Sequence, residues 1–378
     1  MSSITTISSS SPRSQQTPQQ PDRVHVLGLG SIGTFTAHSA SEIPNGPSIT
    51  LLLHRRSLLG SYRRNGNRIL VETAEGEHIS LTGYDFETFH DCHWYRTLAT
   101  AAETESDQAV RTTTEPIENL IVCVKATKTV DALRPLRPRL TSQSNVLFLQ
   151  NGSGMIEEVN ARLFTEPRTR PSYLIGVISH GASSREEEKN TMPDSCLPLL
   201  LPTTTKTITT FSKPSPYPPV STPYYTYTSI LQLQLEKLAV NAFCNLLCAL
   251  NAKNGFVLTL PEEEEEEEEK KKKKTNLKKE ILAEISNVVL ALPELKHVPG
   301  VSERFSVESL EETVDGIVRK TVNTTCSMVW NVRAGRETEV KFINGAWSRV
   351  GRAVCVETPV NDGLVDQILE RTRRGGVV

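Results

Sequence analysis

The sequence predicts an α/β protein whose first part alternates strands with helices and whose last part is helical. Three observations carry this: a strand, glycine loop, helix and second strand over 23–56; the same strand-then-helix pattern at 119–133 and 145–160; and helical patterns alone from about Ile230 onward. The expected organisation is a tail at 1–21, a dinucleotide-binding domain at 22–225 and a helical domain at 226–378.

Residues 1–21 are Ser, Thr, Gln and Pro with few apolar positions, so they support no core and read as a disordered tail. The tail lacks acidic residues, as transit peptides do, but Arg13 is its one basic residue and no amphipathic run is present. We expect a cytoplasmic protein, with mitochondrial import the lesser alternative.

Val24, Val26 and Leu27 form the first buried strand, and Gly28-Leu29-Gly30-Ser31-Ile32-Gly33 follows it as G-x-G-x-x-G. The first glycine permits a tight turn, the second lets a pyrophosphate reach the backbone, and the third lets helix pack on strand. The next strand, 48–56, ends in His54, Arg55 and Arg56 where an NAD-binding unit would carry an acid. Two guanidinium groups there suit a 2′-phosphate, so the expected cofactor is NADPH; the alternative is a solvated strand end.

Residues 57–83 read as a continuation of the sheet, with turns at Asn65-Gly66 and Glu75-Gly76. From 84 to 116 the pattern dissolves into polar sequence, read as an irregular insertion. Two further strands end in Lys125 and in Gln150-Asn151-Gly152. Ligands gather at the carboxyl ends of parallel strands, which puts Lys125 and Asn151 at the cofactor's edge; either also reads as a turn residue. One more strand spans 173–181, and 182–222 is a long aperiodic stretch without the marks of regular structure.

The second domain opens with a buried helix, 236–255 and the residues before it, with Gly255 as its stop. Lys237, Asn241, Asn245 and Asn251 fall on one stripe of it. Burying a lysine and three amides without partners costs a few kcal/mol each, so the stripe should face a polar cleft or a ligand rather than merely line a solvated edge. Helical patterns return at 277–295 and 309–330, after a Glu/Lys run at 261–274 that reads as a solvated surface insertion. Glu339 lies between two helical patterns, and 358–361 makes a turn before the last helix.

Composition narrows the class. A net charge of -2 gives no basic field for nucleic acid, and no apolar run approaches the ~20 residues of a membrane span, so the chain reads as soluble. Seven cysteines without CxxC pairs indicate reduced thiols, with no disulfide frame and no metal site.

Taken together, GLGSIG at 28–33, VKA at 124–126, QNG at 150–152, SHG at 179–181, KLAVN with Asn245, NG at 254–255, SM at 327–328, GRETEV at 335–340, ING at 343–345 and TPVN at 358–361 resemble the ketopantoate reductase family, and the insertions suggest a fungal member of it. The resemblance covers most of 23–181 and 229–370 and implies a Rossmann domain, an all-helical C-terminal domain and a substrate cleft between them. It implies NADPH-dependent reduction of 2-dehydropantoate in pantothenate and coenzyme A synthesis, with Lys237 as general acid and Glu339 as the second catalytic carboxylate. Asn241, Asn245, Asn254 and Ser327 match substrate-binding positions, and Asn151 a residue beside the nicotinamide. A homodimer formed through the helical domain is a further expectation.

Two positions depart from the family pattern: Asn331 stands where an acid is usual, and so does Lys341. The strands that normally follow SHG are not recognisable in 182–222. A catalytically degenerate NADPH-binding protein and a reductase of another 2-keto acid are therefore the alternative readings.

Overall fold

A computed structural model describes residues 22–54, 56–64, 68–72, 78–97, 111–178, 199–200, 224–251, 265–321 and 325–373. The N-terminal half is built on one eight-stranded sheet. Its central strand, β1 (Arg23–Leu27), pairs in parallel with β2 (Ser48–Leu53) on one side and β8 (Asn119–Val122) on the other. Beyond β8 lie β9 (Asn145–Phe148) and β10 (Ser172–Ile175), both parallel. Beyond β2 lie parallel β5 (Asp85–His90) and then antiparallel β6 (His93–Thr97) and β7 (Arg111–Thr112). The chain thus leaves β1 in both directions, and the switch point between β1 and β8 opens a crevice at their carboxyl ends.

Strands buried on both faces need apolar residues at every position, and β1, β2, β8 and β9 supply them. One face packs Val24, Val26, Leu51 and Ile121 against α1 (Ser31–Ser41) and α2 (Arg56–Arg64). The other packs Leu27, Leu52, Val122 and Phe148 against α3 (Thr129–Leu133) and α4 (Met155–Arg162).

Two readings of this half need correction. The stretch 84–116 is not an irregular insertion: its described residues form β5, β6 and β7 and carry the sheet to its edge. Its polar composition hid a buried charge, since Glu87 on β5 is fully enclosed and bound by Arg139 and Arg96. Residues 57–83 do not extend the main sheet; they give α2 and then a separate hairpin of β3 (Ile69–Glu72) and β4 (His78–Leu81). Of 182–222 only β11 (Leu199–Leu200) is described, paired in parallel with β12 (Tyr224–Tyr225); the rest, and the SHG triplet, lie outside the described residues.

The C-terminal half is helical. Its centre is α5 (Tyr227–Asn251), whose Leu238, Ala239, Ala242, Leu246 and Ala249 are buried against the helices that follow. On length and composition alone α5 is apolar enough to cross a membrane, contrary to the sequence reading, and half of its most apolar window is buried inside this core. Around it stand α6 (Glu265–Leu290), α7 (Val301–Arg304), α8 (Val307–Thr321), α9 (Ser327–Arg333), α10 (Asn344–Ala353) and α11 (Pro359–Arg373). The pattern at 309–330 is therefore two helices rather than one. The backbone of the Glu/Lys run from Glu265 on is the start of α6.

Buried polar groups lock this domain. Glu284 of α6 accepts hydrogen bonds at the start of α11 from Val360 N at 2.7 Å, Asn361 N at 2.9 Å and Asn361 Nδ2 at 2.8 Å. Asn361 in turn accepts from Asn344 Nδ2 at 3.0 Å, and the same amide donates to Ala242 O of α5 at 3.0 Å. A carboxylate on the N-terminal amides of a helix satisfies donors that have no partner within the helix and complements its dipole.

Candidate active site

The glycine loop after β1 has three glycines with three different surroundings. Gly28 sits at φ +97°, and a Cβ there would lie 2.6 Å from Val124 N. A Cβ on Gly33 would run into the Gly28 carbonyl. Gly30 has nothing within 4 Å of its would-be Cβ, and it caps α1 with no side chain on the helix's first amides. An open, uncapped helix N-terminus beside a bare backbone is the surface a pyrophosphate needs. The residues at 28–33 therefore fit a dinucleotide. Of the two arginines expected at its far end, Arg55 lies outside the described residues, and Arg56 opens α2 directly after β2.

The crevice is closed by the helical domain. Two loops at the carboxyl ends of β8 and β9 make the contact. In the first, Ala126 N donates to Glu339 Oε1 at 2.9 Å, Lys125 Nζ donates to Asn331 Oδ1 at 2.5 Å, and Lys128 pairs with Glu337 at 2.8 Å. In the second, Ser153 N donates to Phe342 O at 2.8 Å and Arg349 Nη2 to Ser153 O at 2.7 Å. Gly152, at φ +94°, permits this approach, because a Cβ there would stand 2.6 Å from Phe342 O.

Lys237 projects from α5 across the same crevice, and its ammonium donates to Ile178 O, beyond β10, at 2.5 Å. Burial pulls its pKa down to about 8, while the negative charge of Glu339 acts the other way. Glu339 is buried, and burial pushes its carboxyl up; the Ala126 amide and then the ammonium groups of Lys125 and Lys237 oppose that shift. Two cations thus share one carboxylate whose charge is poorly hydrated, an arrangement suited to an anionic ligand and to moving a proton.

Asn241 and Asn245 follow Lys237 at one-turn intervals, both half-buried. Ser327, exposed at the start of α9, is brought to this stripe by its neighbour, since Cys326 Sγ lies 3.8 Å from Asn245 O. Asn151, half-buried, occupies the bend after β9. Asn251 does not join the stripe's business: its amide donates back to Leu247 O at 2.7 Å. Asn254 lies outside the described residues.

Three residues have roles that the sequence reading missed. Asn331 is 1% exposed and holds Lys125 through its carbonyl, while its Nδ2 has no partner among the described residues. Gln150 stitches the two loops, its Nε2 donating to Val124 O at 2.6 Å and Thr129 Oγ1 at 2.7 Å. Arg349 clamps the second loop and also donates to Lys341 O at 2.6 Å. Asn331 was visible as a departure from the family pattern and Gln150 as part of the QNG motif, though not its contacts; Arg349 carries no signal in a single sequence. Among the described residues no cluster of His, Cys, Asp or Glu could hold a metal ion.

Comparison with known proteins follows the same two halves. Residues 24–192 match the family model "Ketopantoate reductase PanE/ApbA", and 229–371 match its C-terminal counterpart. The 2-dehydropantoate 2-reductase of Saccharomyces cerevisiae is 30% identical over 158 residues, covering 42% of this chain and only 37% of that enzyme's length. A ketoisovalerate reductase of Gibberella fujikuroi is 24% identical over 391 residues, covering 93% of this chain and 83% of the relative. Among solved structures, a D-mandelate dehydrogenase with NADH and anilino(oxo)acetate superposes with a TM-score of 0.64 at 16% identity, covering 94% of this chain and 100% of the other, which speaks to the fold. With both of its halves matched in order by that one pair of models, the chain belongs to the ketopantoate reductase family.

Proposed function

We propose that the protein reduces the ketone of 2-dehydropantoate to the alcohol with NADPH, with Lys237 as the general acid. The observation that carries this is the half-buried Lys237 ammonium, lowered to about 8, reaching over the strand ends towards Glu339. NADPH, when bound, would supply the hydride. The residues of the chain do the rest. A ketone gaining hydride develops negative charge on its oxygen, and an ammonium with a depressed pKa both stabilises that charge and gives up its proton near neutral pH. The side-chain amides of Asn241 and Asn245 and the hydroxyl of Ser327 orient the substrate without adding charge that would compete with Lys237. Glu339, already accepting from Ala126 N, offers its second oxygen to the substrate's hydroxyl. Arg55 and Arg56 support the choice of NADPH over NADH, through bidentate contacts to a 2′-phosphate.

The Gibberella relative, which aligns along most of the chain, favours a second reading, a reductase of 2-ketoisovalerate. The two substrates differ by one hydroxymethyl group, which carries the hydroxyl we assign to Glu339. The test is NADPH oxidation by the purified protein with each keto acid, beside Lys237→Ala and the double variant R55A/R56A. Turnover of ketopantoate, lost in Lys237→Ala, with NADPH preference lost in the arginine variant, supports the proposal. Turnover of ketoisovalerate alone selects the second reading. Tight NADPH binding with no turnover of any keto acid overturns both and leaves a degenerate binding protein.

A further inference from the structure

We propose that Cys248 and Cys326 form an oxidisable dithiol, a modification site at which a peroxide closes a disulfide between α5 and the segment carrying Ser327. Cys248 is buried on α5, one turn beyond Cys244 and three residues after Asn245. Cys326 is half-buried, immediately before Ser327, with its sulfur 3.8 Å from Asn245 O and hydrogen-bonded to the Cys248 thiol. Both are free cysteines. The contact to Asn245 O seats the Cys326 sulfur on the turn of α5 that carries Cys248, so the two thiols are neighbours from segments 78 positions apart, counting from 248 to 326.

The two thiols are not equivalent. The hydrogen bond from Cys248, and then the backbone amides of Val329 and Met328, pull the Cys326 thiol down from its ordinary pKa. Burial instead pushes neighbouring Cys244 up to about 12. The chemistry balances with peroxide as the oxidant. The Cys326 thiolate attacks one peroxide oxygen, the O–O bond breaks, and the departing hydroxide takes a proton to give water and Cys326 sulfenic acid. The Cys248 sulfur then attacks the sulfenic sulfur, water leaves, and a disulfide remains. Two thiols lose two electrons and two protons, and one peroxide becomes two waters.

The consequence is local. Lys237, Asn241 and Asn245 stand on the helix that the disulfide would grip, and Ser327 on the segment tied to it. A displacement of about 1 Å in a positioning group costs up to about 100-fold in rate, so oxidation is expected to lower kcat/KM by about tenfold or more.

The experiment treats the full-length protein with hydrogen peroxide and maps its thiols by peptide mass, with activity followed alongside. The expected result is a Cys248–Cys326 cross-linked peptide, and activity that falls with it and returns with dithiothreitol. C326S should be insensitive, while C92S/C355S, which removes the two thiols exposed among the described residues, should respond like the unmodified protein. Free Cys248 and Cys326 after treatment that oxidises Cys92 and Cys355 would overturn the proposal, as would a disulfide to any other cysteine. The functional part rests on the reductase reading, whereas the mass readout does not. A protein that forms the cross-link but reduces no keto acid fails the first reading and keeps this one.

Discussion

Two sets of buried charges in this molecule are treated in opposite ways. In the sheet, Glu87 is fully enclosed, yet Arg139 binds it at 2.6 and 3.3 Å, Arg96 at 2.9 and 3.1 Å, and His25 stands 3.6 Å away. Burial alone would raise its pKa; the contacts to His25 and Arg139 outweigh burial and hold it at about 2. In the crevice, Glu339 is also buried but has one amide and two shared ammonium groups, and its pKa moves up; that of Lys237 moves down. The same residue type, a glutamate, is saturated with partners where it holds the fold and has fewer where a ligand enters. A charge with every partner in place is structure, and a charge with one missing is chemistry.

Breaking the crevice side should have the largest effect. Lys237→Met is expected to lower kcat by about 10²–10⁴-fold, the usual worth of a positioned proton donor. It should not lower the melting temperature. The folded-state pKa lies below the ordinary 10.5, so below about 8 the native protein carries a poorly solvated charge that methionine removes, and Tm at pH 7 should rise. A melting temperature that drops would make Lys237 a structural residue.

Breaking the sheet side should give the reverse signature. Glu87→Gln leaves two buried guanidinium groups short of a carboxylate and is expected to cost about 3–5 kcal/mol in urea unfolding, with kcat unchanged at temperatures where the protein stays folded. Because the folded pKa is depressed, this stability is present above 4.5 and lost as pH falls towards about 2, so the gap between the variant and the parent should close over that window.

The pH profile sharpens the contrast within one protein. For ketone reduction, kcat/KM should fall about tenfold per unit above a pKa of about 8, where the Lys237 ammonium is lost. A flat profile across that range would exclude it as the proton donor. The smallest effect belongs to Asn331→Asp, which replaces a buried donor with no partner among the described residues by an acceptor beside the Lys125 ammonium. A buried unsatisfied donor costs about 1–3 kcal/mol, so thermal melts should show a modest gain in stability. A loss would mean that Asn331 Nδ2 has a partner in solution.

Much of the molecule could be read from local pattern, and the polar residues that were misread share one cause. The strand-loop-helix start, the strands leading to Lys125 and Asn151, and the Lys237, Asn241, Asn245 stripe all announce themselves through periodicity and glycine placement. Strand β5 did not, because Asp85, Glu87 and His90 gave it the look of a loop. A carboxylate inside a sheet makes sense only with Arg139, 52 positions away, and no window of sequence shows that pairing. Glu284 was hidden for the same reason: its partners at 360 and 361 lie 76 and 77 positions on. In the site, residue types pointed to Lys237 and Glu339, but the attachment of Glu339 to Ala126 N spans 213 positions and could only be seen folded.

That attachment limits how modular the protein can be. Glu339 is gripped by the first loop of the dinucleotide domain, and Phe342, three residues later, by the second, through Ser153. The segment 339–342 therefore belongs to the helical domain by chain and to the sheet domain by bonding. Exchanging one half of this protein for that of a distant relative, as in a chimera, would leave the glycine loop and the helices intact and still misplace the carboxylate, unless 125–128 and 151–154 travelled with the segment they hold.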